Sequence, residues 1–426
     1  MPNLRTKCAQ AVQTVLENKV FFAELKNDFA AADLPFANML ILSTLRYWVG
    51  LEKILNSFLK KKIPHKHRQA QYLLLLAIAE LLLMETASHA VINETVANVR
   101  RVSDKFLGGL ANAILRQIAD ARVSWRQKLL QMNLLPKSFV EILAGYAPEQ
   151  IAKITQCVGA IPPLDLTVKN DVLAWAAKLK AKVLPNGTLR LNDAAKIKQL
   201  PGYDEGAWWI QDVAASLPVL AMGDVKGLQV ADLCAAPGGK AAQLAAAGAE
   251  VTAVDISPER MEKLAQNMQR LGFLGVQTKV ADALDFLQHT SRQFDAILLD
   301  APCSATGTFR RHPEVLHIKT ANDVAQQAIP QEQLLVACEQ ALKVGGILLY
   351  SVCSIAQAEG EQQIQKFLAK NKNFRLVPID IKDISHYGGW AENILTPEGY
   401  IRTLPYVCFQ DGGMDSFFIA KMQRII

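Results

Sequence analysis

The chain has 426 residues, half of them hydrophobic and a fifth charged, a composition that excludes a disordered or fibrous protein and exceeds what one compact core holds. Its net charge of +6 is uneven: residues 1–140 carry 19 Lys and Arg against 10 Asp and Glu, and the remainder carries 27 against 30. A basic front on a near-neutral rear suits a polyanion-binding module joined to a second module, although a solvated basic face gives the same count.

Residues 1–140 carry helical signals and no convincing strand. Apolar residues recur at helical spacing over 11–22, 36–59, 68–84, 91–101 and 106–116, punctuated by Pro35, Pro64 and Gly108-Gly109. The longest apolar stretch, 72–84, has 13 residues and contains Glu80. A membrane span needs about 18 with few charges, so this stretch predicts a buried helix and no membrane partner. The first residues also lack the apolar centre of a secretory signal, which points to a cytoplasmic protein. Lys60, Lys61 and Lys62, with Lys66 and Arg68, form a basic turn suited to phosphates.

Composition shifts near Ala160-Ile161-Pro162-Pro163. Residues 164–170 predict a strand, 171–179 a helix and 183–191 a hairpin turning at Asn186-Gly187. From Gly227, β-type runs (228–234, 250–257, 276–283, 294–302, 345–354) alternate with helical stretches, among them 241–248 and 259–271. Such alternation predicts a parallel sheet covered by helices on both faces. Residues 402–422 predict two strands around Gly412-Gly413 as an antiparallel edge pair. The expected fold is multidomain: an all-α N-terminal domain (1–140), a small α/β connector (141–222) and a C-terminal Rossmann-like α/β domain (223–426) with a mostly parallel sheet.

In such sheets ligands sit beyond the carboxyl ends of the strands. The first ends in Asp232-Leu-Cys234-Ala235-Ala236-Pro237-Gly238-Gly239-Lys240, whose glycines admit close backbone approach and lead into a helix N-terminus. It is neither the dinucleotide loop nor the Lys-Ser/Thr phosphate loop. The second strand ends at Asp255, placed to accept from ribose hydroxyls, and the third is followed by Asp282, within reach of an adenine amino group. Each acid alone reads equally as a helix cap; three successive strand-end acids together predict an adenosine-containing ligand.

The fourth strand ends Asp300-Ala-Pro-Cys303 and the fifth Ser351-Val-Cys353, bringing two thiols to one sheet edge. The chain has seven cysteines, an odd number with no CxxC pair, so reduced thiols are expected and neither disulfides nor a metal site. Cys8, Cys157, Cys338 and Cys408 read as filler; Cys303 and Cys353 sit where strands give way to loops, as reactive thiols do.

These motifs resemble those of the RNA cytosine-5 methyltransferases of the Sun/Fmu type. The segment 232–240 is similar to that family's cofactor loop, Asp300–Gly307 with Arg310-Arg311-His312-Pro313-Glu314 to its fourth motif, and Cys353-Ser354 to its sixth. Trp209-Ile-Gln211-Asp212 with Ser216, and Pro163-Leu-Asp165-Leu, are similar to its segments before the cofactor strand. Leu45-Arg46, His89, Asn93-Glu94 and Leu110-Ala-Asn112 are similar to a NusB-type helical RNA-binding domain. The resemblance spans nearly the whole chain.

It implies S-adenosylmethionine as cofactor, held by Cys234, Ala235, Ala236, Pro237, Gly238, Gly239 and Lys240 with Asp255, Asp282 and Asp300. It implies C5 methylation of a cytidine in small-subunit (16S) ribosomal RNA. The chemistry is intelligible: C5 of an aromatic cytosine is a poor nucleophile until a thiolate adds at C6. Cys353 is the implied nucleophile, Cys303 the implied release residue, and Asp300 a contact to cofactor or to N3 and N4 of the base. Arg310 and Arg311, with Lys60–Lys62, are the implied RNA contacts. A monomer with no DNA partner is expected. Three departures stand out: Ala241 where the family has Thr, Ala305 where it has Gly, and Val352 where it has Thr. Of these, Ala305 is expected to tighten the loop that carries Cys303.

Other readings remain beside this one. A DNA cytosine methyltransferase also uses a Pro-Cys after the fourth strand, but lacks reason for a second cysteine at 353. An amino-group methyltransferase would carry Asn/Asp-Pro-Pro-Tyr/Phe, unlike Asp300-Ala-Pro-Cys303. Methylation of another RNA such as tRNA, or a non-catalytic RNA-binding assembly factor, completes the alternatives.

Overall fold

The computed structural model describes residues 3–191, 197–387 and 389–426, the side chains of 391 and 392 excepted. The chain groups into two compact units: Met1–Glu141, Ala147–Ala160 and Phe309–Thr320 form the first, and Ile142–Tyr146, Ile161–Thr308 and Ala321–Ile426 the second.

The first unit is helical: α1 (Leu4–Asn18), α2 (Leu34–Phe58), α3 (Arg68–Leu83), α4 (Ser88–Val102), α5 (Lys105–Asp120), α6 (Arg122–Leu130), α7 (Lys137–Ile142) and α8 (Pro148–Cys157). α1 begins earlier than its apolar spacing predicts, because the Asn3 side chain accepts from the Thr6 amide and caps it. The apolar stretch 72–84 becomes α3, packed against α1, α2, α4 and α5 and buried almost throughout. Glu80 within it is fully buried and accepts two 2.7 Å bonds from Arg5, so its charge is paired where burial would otherwise be costly. Residues 309–320, from the middle of the second unit's sequence, belong to this helical unit; they contain the short helix Val315–Ile318, and buried Glu314 accepts from the Phe22 amide at 3.2 Å. Among the described residues no helix is long and apolar enough to cross a membrane.

The second unit contains two sheets. In the smaller, antiparallel one, β1 (Leu164–Val168), β2 (Lys182–Val183), β3 (Leu189–Leu191) and β4 (Trp208–Ile210) lie in the order β2-β3-β1-β4. The β2–β3 hairpin turns at Gly187, whose φ of +87° needs no Cβ penalty. Asp165 of β1 and Arg190 of β3 form a buried bidentate pair at 2.7 Å, and Asp165 also accepts from the Val213 amide. That bond anchors the start of α10 (Val213–Met222), which follows α9 (Val172–Leu179) in the chain.

The larger sheet has β5 (Gln229–Leu233), β6 (Glu250–Asp255), β7 (Gln277–Val280), β8 (Phe294–Asp300), β9 (Leu342–Val352), β10 (Phe374–Leu376), β11 (Ile401–Arg402) and β12 (Phe418–Arg424). Its order is β10-β12-β9-β8-β5-β6-β7, with β11 on β12. β5 to β9 run parallel, flanked by α11 (Gly239–Ala246), α12 (Pro258–Leu271), α13 (Ala283–His289) and the later helices Ala321–Ala341 and Glu361–Lys370. The C-terminal strands depart from the predicted edge pair. β12 lies inside the sheet, antiparallel to both β9 and β10, and Phe418, Ile419, Ala420 and Met422 are fully buried there. A strand apolar on both faces is stable only with both faces covered. The strand order reverses between β5 and β8, which opens a crevice at their carboxyl ends.

Candidate active site

The loop after β5 enters α11 through Gly238, at φ +101°, and no side chain caps that helix, so its first amides face the crevice. A Cβ at Gly238 would lie 2.8 Å from Leu264 Cγ; only glycine lets the loop lie this close to α12. A cavity of about 470 Å³ opens here, with Trp208, Gln211, Asp232, Gly239, Lys240 and Asp300 in its wall. Gln211 ties the small sheet to this loop: it accepts from Trp209 Nε1 at 2.9 Å and donates to Gln243 of α11 at 3.1 Å.

Asp232, second last in β5, opens the predicted cofactor-loop segment and is the first of the three strand-end acids, although the residues expected to hold the cofactor began only at Cys234. Both carboxyl oxygens are buried without a hydrogen-bond partner, and burial, ahead of the opposing pull of Lys240, pushes its pKa up to about 8. Lys240 Nζ lies 2.6 Å from Asp300 Oδ2, and Ser351 donates to Asp300 Oδ1 at 2.8 Å. Burial alone would lower the Lys240 ammonium, but Asp300, then Asp232 and Cys353, hold it above its ordinary value.

Ala235, Ala236, Pro237 and Gly238 line the same wall, whereas Asp255, Asp282 and Cys234 stand apart from it. Asp255 is buried and accepts from the Ala236 and Ser257 amides, each at 3.0 Å, with Arg260 against it at 3.5 Å. Asp282 is exposed and caps α13 through Oδ1, which takes the amides of Leu284 and Asp285. Cys234 sits at φ +60°, and burial followed by the three neighbouring acids pushes its thiol up to about 12, so it stays protonated.

Cys303 and Cys353 come together with their sulfurs 3.3 Å apart. The bond to Cys353 raises the Cys303 thiol most, burial next, and the Cys353 and Glu359 charges after that. The Cys303 thiol is thus held well above its ordinary value, and either sulfur can act as the donor in the contact between the two. Backbone bonds join the two loops as well, with Gly307 N donating to Cys353 O at 3.0 Å. Ala305 lies at φ +57°, a left-handed conformation that costs a non-glycine residue about 1–2 kcal/mol.

Of the expected RNA contacts, Lys60, Lys61 and Lys62 are exposed in the turn after α2. Beside them Phe58 and Trp125 pack at 5.3 Å, with Lys128 4.8 Å over the Trp125 ring. Arg311 is half-buried. Arg310 departs from the expectation: it is fully buried within the helical unit, where a guanidinium is closed off from a phosphate backbone.

The strand order, the glycine loop running into a helix and the acids at the strand ends define an S-adenosylmethionine-dependent methyltransferase. Residues 220–423 match the model of the 16S rRNA methyltransferase RsmB/F family, and residues 2–120 that of the NusB family. The chain is 32% identical to ribosomal RNA small subunit methyltransferase B of Erwinia tasmaniensis, across 100% of this chain and 99% of that protein. It is also 32% identical to the Serratia proteamaculans protein of the same name, across 88% and 92%. The chain belongs to the RsmB/F family. Among solved structures, a methyltransferase homolog from Pyrococcus horikoshii superimposes with a TM-score of 0.57 at 27% identity, covering 69% of this chain and 96% of that one. The structure titled PH0851 covers 100% and 99% with a TM-score of 0.72; at 20% identity it speaks to the fold alone.

S-adenosylmethionine is the cofactor, and the crevice fits a cationic one. Asp232 offers a buried carboxyl with no partner, and the open amides of α11 offer donors.

Proposed function

We propose that this protein methylates C5 of a cytidine in 16S ribosomal RNA through a covalent bond between Cys353 and C6. The observation that carries this reading is the thiol pair, 3.3 Å apart at the strand ends beside the Lys240–Asp300 ion pair. The contact with Cys353 and burial raise the Cys303 thiol, which favours Cys353 as the nucleophile.

The Cys353 thiolate adds to C6, and the C5=C6 electron pair moves to C5. Asp300, held by Lys240 and Ser351, accepts from the exocyclic amino group and fixes the ring. S-adenosylmethionine supplies an electrophilic methyl group to C5; Asp232, the 234–240 loop, Asp255 and Asp282 are the residues proposed to hold it. A base then takes the C5 proton, the C5–H pair re-forms the double bond, and the C6–S pair returns to Cys353. Cys303 is the thiol in position to assist that release. The target nucleotide must leave any helical stack to be reached this way, which suits a loop or single strand. Lys60–Lys62, together with the Phe58–Trp125 pair, are proposed to hold flanking RNA by charge and stacking, and Arg311 to add a phosphate contact.

The test is to mix Cys303→Ala protein with 16S ribosomal RNA and S-adenosylmethionine and run a denaturing protein gel. A slow, nuclease-sensitive band is expected, and adding Cys353→Ala should abolish it. Absence of the band while wild type still methylates the RNA would refute the division of roles between the thiols.

A further inference from the structure

Each catalytic-loop cysteine is followed by a serine, Ser304 after Cys303 and Ser354 after Cys353, and both serines converge on one buried carboxylate. Glu359 is fully buried in a 3₁₀ turn, Gln357–Glu359, six residues beyond Cys353. Its Oε1 accepts from the Ser304 amide at 2.8 Å and from Gln331 Nε2 at 3.0 Å. Its Oε2 accepts from the Ser304 and Ser354 hydroxyls, both at 2.5 Å. Thr306 lies 3.0 Å from each of those hydroxyls and accepts from the Ile355 amide. Gln331 also donates to Pro302 O at 2.9 Å, and Tyr350 donates to the Glu359 carbonyl at 2.7 Å.

No cation lies within ion-pair distance of this carboxylate among the described ion pairs. The nearby Arg402 is committed to Glu361 and to the Ser354 carbonyl. Four donors alone offset the cost of burying the charge, and each belongs to an element that carries or braces a cysteine loop. Neutral side chains joining two loops would need no such charge. A carboxylate is the one side chain that accepts at both oxygens with no donor of its own, so both loops can lean on it at once.

We propose that Glu359 is a positioning residue: it clamps the loop after β8 to the loop after β9 and so holds the Cys303 sulfur against Cys353 for product release. The inference rests on the two-thiol reading above. Adduct formation needs only Cys353 and the bound base. Release needs the second sulfur in register, so loosening the clamp slows the second half of the reaction more than the first. Glutamine at 359 would remove the charge and turn one acceptor into a donor, which weakens the charge-assisted ties to both loops. Glu359's negative charge also opposes ionisation of Cys303, in keeping with a protonated release thiol.

The experiment compares Glu359→Gln, Glu359→Asp and Cys303→Ala with wild type on 16S ribosomal RNA and S-adenosylmethionine. Readouts are kcat, KM for each substrate, the melting temperature, and the fraction of protein in the nuclease-sensitive gel band. Glu359→Gln is expected to accumulate the band although Cys303 is present, with kcat down on the order of 10- to 100-fold and KM for S-adenosylmethionine within about twofold. Glu359→Asp, which keeps the charge, should restore part of kcat. Should Glu359→Gln fail to fold, Ser304→Ala and Ser354→Ala each remove one tie and are expected to show the same accumulation to a smaller degree. If Cys303→Ala traps RNA but none of the clamp variants does, Glu359 is only structural and the proposal falls while the two-thiol reading stands. If Cys303→Ala itself traps nothing, the two-thiol reading fails and takes this inference with it.

Discussion

Asp232 shows how a single burial changes a residue's chemistry. It occupies the penultimate position of β5, where both faces of the sheet are covered, and its carboxyl finds no protein partner. The folded protein therefore keeps its proton up to about pH 8, whereas an exposed carboxyl gives it up near 3.8. The sign follows from linkage: a pKa raised by folding contributes stability in full below the unfolded value and loses it as pH rises through the folded one. Cofactor-free wild type should accordingly lose melting temperature between pH 4 and pH 8 relative to Asp232→Asn, and the gap should stay constant above. Melting curves of the two proteins from pH 4 to pH 9 decide this; parallel profiles would mean that Asp232 ionises normally. Ala305 is a second residue-scale matter. The motif it resembles has glycine at that position, and the left-handed φ of Ala305 gives the departure a physical meaning, since glycine would hold the same turn without strain.

At the scale of elements, the catalytic arrangement is the junction of three strands. β8 and β9 run parallel and each delivers a cysteine loop, while the segment leading into β12 closes over them. Gly307 sits at the crossing: its amide donates to Cys353 O, and its carbonyl accepts from the Ser416 amide, each at 3.0 Å. A Cβ there would stand 2.0 Å from Ser416 O and 2.9 Å from Cys353 O, both rigid backbone atoms. Gly307→Ala must therefore push the loops apart, and a displacement of about 1 Å costs catalysis on the order of 100-fold. We expect that loss in kcat, with S-adenosylmethionine affinity, measured by calorimetry, nearly unchanged because the 234–240 loop lies on β5. Equal losses of rate and affinity would show that the damage is global.

At the scale of the whole molecule, charge is divided between the two units. Exposed Lys60, Lys61 and Lys62 lie beyond the C-terminus of α2, where the helix dipole favours positive charge, so their clustering has a structural reason as well as a proposed functional one. The two are separable by salt. If the three lysines meet phosphates, replacing all three with alanine should lower the slope of log affinity against log salt by about 2 for a single-stranded RNA. Filter binding of a 16S fragment at several salt concentrations measures it. An unchanged slope would return these lysines to the solvated face that their composition also allowed.

Apolar spacing was enough to read the helical front, the Asn186-Gly187 turn the hairpin, and the alternation of β-type and helical runs the five parallel strands, because each is set by contacts local in sequence or by a simple in–out pattern. The same holds for the thiols and Lys240: a loop that must leave a strand end carries its chemistry in consecutive residues. Local signals did not reach three features. β12 belongs inside the sheet because its apolar faces need cover from both β9 and β10, a partner choice made at long range. Arg310 follows a motif in sequence but is buried in the helical unit, since residues 309–320 pack there and not with the strands around them. Glu359 looks like any acid after a turn until two loops, 50 residues apart in sequence, bring their serines to it. What the chain carries, its reacting groups and its elements, follows from the order of its residues; which of those groups face each other depends on burial and pairing, and these exist only once the chain has folded.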